Sequence, residues 1–469
     1  MSTKRRAAAA SGAWHRPEDS TATANGIKTG KVEDKQAVSY TVTGSTFVPA
    51  FLVFVCPVFA MVFIRIIVEF DGDLLEFARV AARDGPLQIL KTSVFPYVFG
   101  SRRACEFILP FAAFQLLLMR LVPGKTTRGP VTPAGNIPIY KANGLLSYFI
   151  TLAVFCLCGF VFKIFNPAEV YDHYQEIIGT LNLFSLVFCL VISLKGKLLP
   201  SSTDSGASGN PIFDYYWGTE LYPRILGWDV KMFTNCRFGM MSWGLFLLCY
   251  AAKQYQLGSL SDSMVVSVVL QLIYITKFFQ WEMGYMKSLD IMHDRAGFML
   301  CWGCMVWVPS VYTSHTLYLT THPNDLGLPV SVAIIALGIF CIFFNYDADR
   351  QREQVRNTDG NCTVWGRKPE IIRATFHTSE GQERKSILLM SGWWGVSRHF
   401  HYVPEITAAF LWTIPALFSS PIPYFYVTFL VILLTHRAIR DDVRCAEKYG
   451  EFWNEYCKKV PYKIIPFIF

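Results

Sequence analysis

YFYVTFLVILLTHRAIRDDVRCAEKYGEFWNEYCKKVP, residues 424–461, passes from an unbroken apolar run into a stretch dense in charge. The apolar part, residues 424–434, reads as the last of a series of membrane-spanning helices. If that helix continues, Arg437, Arg440, Asp441, Arg444, Cys445 and Lys448 fall at i, i+3, i+4, i+7, i+8 and i+11 and share one charged face. Tyr449, Phe452, Trp453 and Tyr456 repeat at the same spacing on an adjacent face. Charge at a membrane border must meet water, lipid headgroups or an ionic ligand. A cationic stripe with one fixed carboxylate and flanking aromatics suits a dinucleotide, because guanidinium matches phosphate and aromatic faces stack on rings. A juxtamembrane basic helix resting on anionic lipid would look the same. The spacing alone leaves both readings open.

The rest of the 469-residue chain fits a polytopic membrane protein: 52% of residues are hydrophobic, 15% aromatic and only 17% charged. Apolar runs long enough to span a bilayer are read near residues 45–68, 104–122, 143–165, 177–194, 240–255, 264–281, 298–319, 328–346, 404–418 and 422–434. The expected fold is therefore all-α, with about ten transmembrane helices. The connections 166–175, 257–262 and 320–327 contain no Lys or Arg, whereas the opposite set of connections and both termini carry nearly all of them. The positive-inside rule puts both termini in the cytosol. The net charge of +8 is accounted for by this topology and by anionic ligands, and is no argument for nucleic-acid binding.

Residues 1–43 have no apolar core and read as a disordered cytosolic tail rather than a cleaved signal. Residues 44–469 form the membrane domain, with 44–200 as nearly uncharged scaffold and 201–469 as the half that holds ligands. The 13 cysteines lie mostly in apolar runs and act as small hydrophobes, and Cys301 and Cys304 read as packing rather than as a redox pair.

Ionisable residues concentrate in the second half, and charges at membrane depth are functional candidates. Arg352 and Arg356 lie one turn apart and could grip one phosphate, although positive-inside charge explains them as simply. LLMSGWWGVSRHFHYVPEI, residues 388–406, is rigid and irregular, and offers Trp394, Arg398, His399, His401, Tyr402 and Glu405 for stacking and hydrogen bonds. Histidines at i and i+2 with no third ligand are weak evidence for a metal, and none is expected. In FFQWEMGYMKSLDIMHDRAGF, residues 278–298, Glu282, Asp290, His293 and Asp294 could handle protons or could cap a salt-bridged loop. Tyr274 lies eight residues before Glu282 on the same helical face, as a candidate acid or a packed aromatic. No GxGxxG follows a strand, and GxxxxGK[ST], HExxH and GxSxG are absent, so a dinucleotide would bind without a Rossmann domain.

At His436-Arg437-x-x-Arg440-Asp441-x-x-Arg444-Cys445-x-x-Lys448-Tyr449-Gly450 the chain resembles the sterol reductase family of endoplasmic reticulum enzymes. That family comprises C14-, C24(28)- and Δ7-reductases. GPVTPAGN, NTDGNCTVWGRKP, SGWWGVSRHFHYVPE and the terminal VPYKIIPFIF look like the Δ7 branch. RHFHYVPE is similar to the plant-type version and departs from the RHxNYxGD form of animal members. GTELYPR, residues 218–224, has Tyr222 where the family usually has Asn.

The resemblance implies a fold without a Rossmann domain and an NADPH pocket beside a sterol cavity open to lipid. It implies Arg352 and Arg356 at the phosphates, and Leu389, Trp394, His401 and Tyr402 along the nucleotide. Asp441, Cys445, Lys448, Tyr449 and Tyr456 follow. Tyr274 and Asp441 match the polar pair flanking the reacting double bond, with Arg437 beside them; Glu282 is expected as a further catalytic acid. The implied activity is reduction of the C7–C8 double bond of 5,7-diene sterols by protonation plus hydride transfer. Expected partners are a sterol from the bilayer, membrane lipid and other enzymes of sterol biosynthesis. The alternatives are a C14-reductase, an isoprenylcysteine methyltransferase or steroid 5α-reductase-like enzyme, and a non-catalytic sterol-binding protein.

Overall fold

A computed structural model of the chain describes residues 14–15, 43–132, 134–377 and 383–469. The tail expected to be disordered, residues 1–43, falls almost wholly outside these. The described chain is mostly helical. Its principal helices are α1 (Val48–Glu69), α2 (Arg102–Leu121), α3 (Gly144–Cys156), α4 (Tyr174–Leu198), α5 (Met240–Leu257), α6 (Asp262–Gln280), α7 (Leu328–Asn357), α8 (Tyr402–Thr413), α9 (Phe425–Tyr449) and α10 (Glu451–Lys459). Strands occur only as short antiparallel pieces among the described residues. One of them, the hairpin of Ile371–His377 and Glu383–Leu389, borders the candidate site. No dinucleotide-binding sheet is present among the described residues.

Seven helices are long and apolar enough to cross a membrane among the described residues, fewer than the ten runs read from sequence. Three expected spans are not among the seven. Residues 240–255 lie in α5, which has 18 residues and carries Lys253 and Gln254 in its last turns. Residues 298–319 run from Phe298–Trp302 directly into a wider helix over Gly303–Tyr312, and after a turn at Thr313 continue as Ser314–Leu319. Pro309 sits inside that wider helix, where it has no N–H to donate and crowds the preceding turn. Residues 404–418 fall on α8, which ends after 12 residues in the tight turn Ile414–Ala416.

α9 does what its sequence predicts up to Tyr449, running without a break from apolar to charged residues. It does not continue to Tyr456. Gly450 takes φ +54, a backbone conformation that closes a helix and favours glycine, and α10 starts afresh from it. The aromatic positions after Gly450 therefore belong to a second helix folded back beside the first.

α6 packs against α5, α7 and α8. Ser261 caps its first turn by accepting from the Met264 N–H. It ends at Gln280, two residues before Glu282, and the break takes Glu282 off the face that carries Tyr274. The expected catalytic role of Glu282 meets this correction: its side chain, 3% exposed, pairs with Arg237, which is fully buried. The Glu282 carboxylate also accepts the Gly144 N–H at 3.0 Å, and Arg237 donates to Asn143 Oδ1 at 2.8 Å. Asn143 in turn donates to the Val122 carbonyl at 3.0 Å, just beyond the end of α2. Glu282 thus locks the start of α3 to the turn before α5.

Glu282→Ala leaves the buried Arg237 charge uncompensated and is expected to cost about 3–5 kcal/mol. Thermal melting of the detergent-solubilised protein checks this, and adding Arg237→Met is expected to recover part of the loss.

Candidate active site

A cavity of about 670 Å³ lies among α5 to α10, lined also by the hairpin and by the Trp394–Tyr402 segment. One helix runs its whole length. Tyr426 and Lys448 of α9 both line it, and 22 residues of helix span roughly 33 Å. The wall near Tyr426 is aromatic and apolar, built from Trp243, Tyr274, Tyr312, Leu430 and Leu434. The wall near Lys448 is ionic, with Arg352, Arg356 and Arg444, and Asp441 precedes Arg444 by one turn of α9.

Every other expected site residue lies on this cavity. Tyr274, Arg437 and Asp441 line it, as do Arg352, Arg356, Leu389, Trp394, His401, Tyr402, Cys445, Lys448, Tyr449 and Tyr456. Of the charged face read on α9, only Arg440 turns away, to pair with Asp294 at 2.8 Å.

At the apolar end the Tyr274 hydroxyl donates to Glu405 Oε1. The Tyr274 ring is fixed between Trp243 and Trp412, at centroid distances of 5.8 and 5.2 Å. Lys277, one turn further along α6, donates to Asn345 Oδ1, and Asn345 Nδ2 donates to the His401 carbonyl at 2.9 Å. In the middle, Arg437 pairs with Asp290. Asp441 is held loosely by comparison: His399 Nε2 lies at 3.7 Å, Arg444 at 3.8 Å, and the Cys445 thiol at 3.8 Å.

At the ionic end Arg352 pairs with Asp349 at 2.9 Å and lies 4.2 Å over the Trp394 ring. The indole of Trp394 is pinned by donation to the Ala348 carbonyl at 2.7 Å. Lys448 sits 4.0 Å over Phe376 of the hairpin, and the Tyr449 hydroxyl donates to Ser386 Oγ at 3.3 Å.

The C-terminal residues hold this architecture from behind. Ser397 Oγ donates to the Ile464 carbonyl at 2.7 Å, and the Arg398 and His399 N–H groups donate to the Tyr462 and Lys463 carbonyls at 3.0 and 2.8 Å. His399 then stacks on Tyr402, with ring centroids 5.1 Å apart. Burial pushes the His399 imidazole down to about 4, against the opposing pull of Asp441. Burial likewise lowers His401 well below its ordinary value, assisted by the nearby Arg352 charge. Both rings are therefore neutral at physiological pH. His401 Nδ1 is buried without a hydrogen-bond partner among the described residues, leaving its hydrogen-bonding capacity unused on the cavity wall.

Lys277 lines the cavity without having been read from sequence, and Asp290 and Glu405, named there only as general candidates for proton handling and hydrogen bonding, line it too. Glu405 was legible only as one polar group in a rigid segment. Its partner Tyr274 lies 131 residues earlier, and no local pattern announces so long a pairing.

The ergosterol biosynthesis ERG4/ERG24 family matches residues 39–469. The chain belongs to that family of sterol reductases. It is 51% identical over 416 residues to a 7-dehydrocholesterol reductase of Arabidopsis thaliana, covering 88% of this chain and 95% of that protein. A 7-dehydrocholesterol reductase of Xenopus laevis is 36% identical, over 78% of this chain and 80% of its own. A Delta(14)-sterol reductase of Methylotuvimicrobium alcaliphilum is 39% identical, over 76% and 81% respectively. The cavity is accordingly the candidate active site of a membrane-embedded sterol reductase.

The His399 environment makes stability depend on pH. With a folded value near 4 against about 6.5 when unfolded, the unfolded chain binds the extra proton between those values. Stability is then complete above about pH 6.5 and falls as pH drops toward 4, by about 3 kcal/mol from this group. Melting temperature followed against pH is expected to show this slope, and His399→Gln is expected to reduce it, His401 supplying a further part of the same sign.

Proposed function

We propose that this chain reduces the C7–C8 double bond of 5,7-diene sterols, with NADPH in the ionic arm of the cavity and the sterol in its apolar arm. The observation that carries this reading is the division of one continuous cavity into an aromatic end holding Tyr274 and a cationic end holding Arg352, Arg356 and Lys448, with Asp441 between them. The relatives named 7-dehydrocholesterol reductase favour the Δ7 bond. The Delta(14)-sterol reductase relative makes the C14 bond the second reading.

The wall fits a dinucleotide on its own chemistry. Arg352 and Arg356 stand one turn apart on α7 for phosphate oxygens. Trp394, pinned by Ala348 and already covered by a guanidinium, offers a flat face. The unpartnered His401 Nδ1 supplies a polar contact the protein does not satisfy itself. When bound, the reduced nicotinamide supplies the hydride equivalent of the reaction.

What the protein must add is an acid, because a sterol alkene accepts hydride only once it has become cation-like. A proton delivered to C8 of a 5,7-diene leaves an allylic cation at C7. Tyr274, the hydroxyl fixed at the apolar end, is the donor. Asp441, a carboxylate without a tight ion pair, lies where the two arms meet and stabilises that positive charge while orienting the nicotinamide ring. Arg437 is neutralised by Asp290 and shapes the junction without adding net charge.

The distribution of Lys and Arg along the sequence supports a cytosolic mouth and cytosolic termini, and sterol chemistry supports an endoplasmic reticulum location. The substrate then comes from the bilayer.

Expression in yeast whose main sterol is a 5,7-diene tests the assignment by sterol mass spectrometry. Loss of the C7–C8 double bond is expected; unchanged Δ7 sterols with altered Δ14 sterols would establish the second reading instead. Tyr274→Phe and Asp441→Asn are each expected to lower the reduction roughly 100-fold with the protein still folded.

A further inference from the structure

Tyr274 and Glu405 share one hydrogen bond at the apolar end of the cavity, and both side chains line it. The bond has two polarities. When Glu405 is ionised it can only accept, so the Tyr274 O–H points at the carboxylate and away from any ligand. When Glu405 is protonated, it donates to the phenolic oxygen, and the Tyr274 O–H is released to turn into the cavity. Only the second state offers a proton to a bound alkene.

We propose that Glu405 is the positioning residue of the reduction: its protonation aims the Tyr274 hydroxyl at the substrate, and its acid proton then refills the phenolate. The inference rests on the reading of Tyr274 as the donor. The Tyr274 O–H bond breaks with its electron pair left on oxygen, and the alkene π pair forms the new C–H bond. The resulting cation is neutralised by the hydride equivalent of the reduced nicotinamide dinucleotide. The proton on Glu405 passes to the phenolate, leaving a carboxylate that takes a proton from solvent. The alkene has gained one proton and one hydride, and both side chains are restored.

The surroundings of Glu405 allow it to exist in either state. Lys277 and Tyr274 face it from α6, Asp349 from α7 and Arg437 from α9, so cationic and anionic neighbours both act on it. Tyr426 and Tyr312 complete the wall without fixed charge. Nothing clamps Glu405 as Arg237 clamps Glu282: none of its cationic neighbours forms an ion pair with it among the described residues.

The active state requires a protonated Glu405, so activity falls as pH rises through its titration. In Glu405→Gln the carboxamide N–H donates to the phenolic oxygen at every pH, which preserves the orientation but provides no proton to refill. The expected result is a kcat lowered roughly 100-fold with little change in KM for the sterol. The alkaline fall in kcat is lost. Glu405→Asp, which keeps a titratable group at shorter reach, is expected to restore part of the rate and to show a displaced alkaline fall.

The experiment measures kcat and KM against pH for the detergent-solubilised full chain with a 5,7-diene sterol and NADPH. Wild type, E405Q, E405D and Y274F are compared, each with a thermal melt to confirm folding. A folded E405Q with wild-type kcat and an unchanged alkaline fall overturns the inference; if Y274F is then inactive, Tyr274 stands as donor without Glu405. A Y274F protein of wild-type activity overturns the donor reading and this inference with it. Should E405Q not fold, E405D decides alone, and an alkaline fall identical to wild type overturns the proposal.

Discussion

Carrying charge past the membrane border on a single unbroken helix is the constraint on which the structure depends. α9 runs from Phe425 to Tyr449, and its second half presents arginines to an interior where an unpaired ion is costly. The segment after α6 answers that cost. Asp290 pairs with Arg437 and Asp294 with Arg440, both across nearly 150 residues of chain. These pairs bind α9 to the end of α6 and fix the cavity between them. The cations left on the cavity side, Arg444 and Lys448, have no comparable partner among the described residues: Arg444 has only Asp441 at 3.8 Å, and Lys448 has aromatic rings. That asymmetry leaves cationic charge on the cavity wall, as the proposed anionic cofactor requires.

The same economy appears on the opposite wall. Arg350 and Arg352 each pair with the aspartate three residues earlier, yet Arg352 also covers Trp394 and lines the cavity. The last ten residues, which do not line the cavity, hold Ser397, Arg398 and His399 through their carbonyls. A substitution in that tail is therefore felt at Tyr402 and Asp441 through the rigid segment between.

Much of this was legible in the sequence because two strong periodicities coincide there. Long apolar runs locate helices, and the i, i+3, i+4 repeat from Arg437 to Lys448 is enough by itself to put the charges on one face. The family resemblance then placed the cofactor and sterol residues, and all but Glu282 lie on one cavity. What failed depended on where helices stop. A period continued past Gln280 sets Glu282 beside Tyr274, but α6 ends there and Glu282 turns to Arg237, a partner 45 residues away. Continuation past Gly450 misjudged the aromatic face for the same reason. The hairpin of Ile371–His377 and Glu383–Leu389 passed unread inside a charged connecting segment. Glu405 was legible as a hydrogen-bonding group, but its partner Tyr274 was not, because that contact is made between helices.

The central claim is that reduction at this site begins with a proton from the protein and ends with hydride at the neighbouring carbon. The most direct test is to run the reaction on a 5,7-diene sterol in deuterated water with unlabelled NADPH, and to locate the label in the product by mass spectrometry and NMR. The account predicts one solvent-derived deuterium at C8 and none at C7. Deuterium at C7, or a product without solvent-derived label at C8, would contradict it.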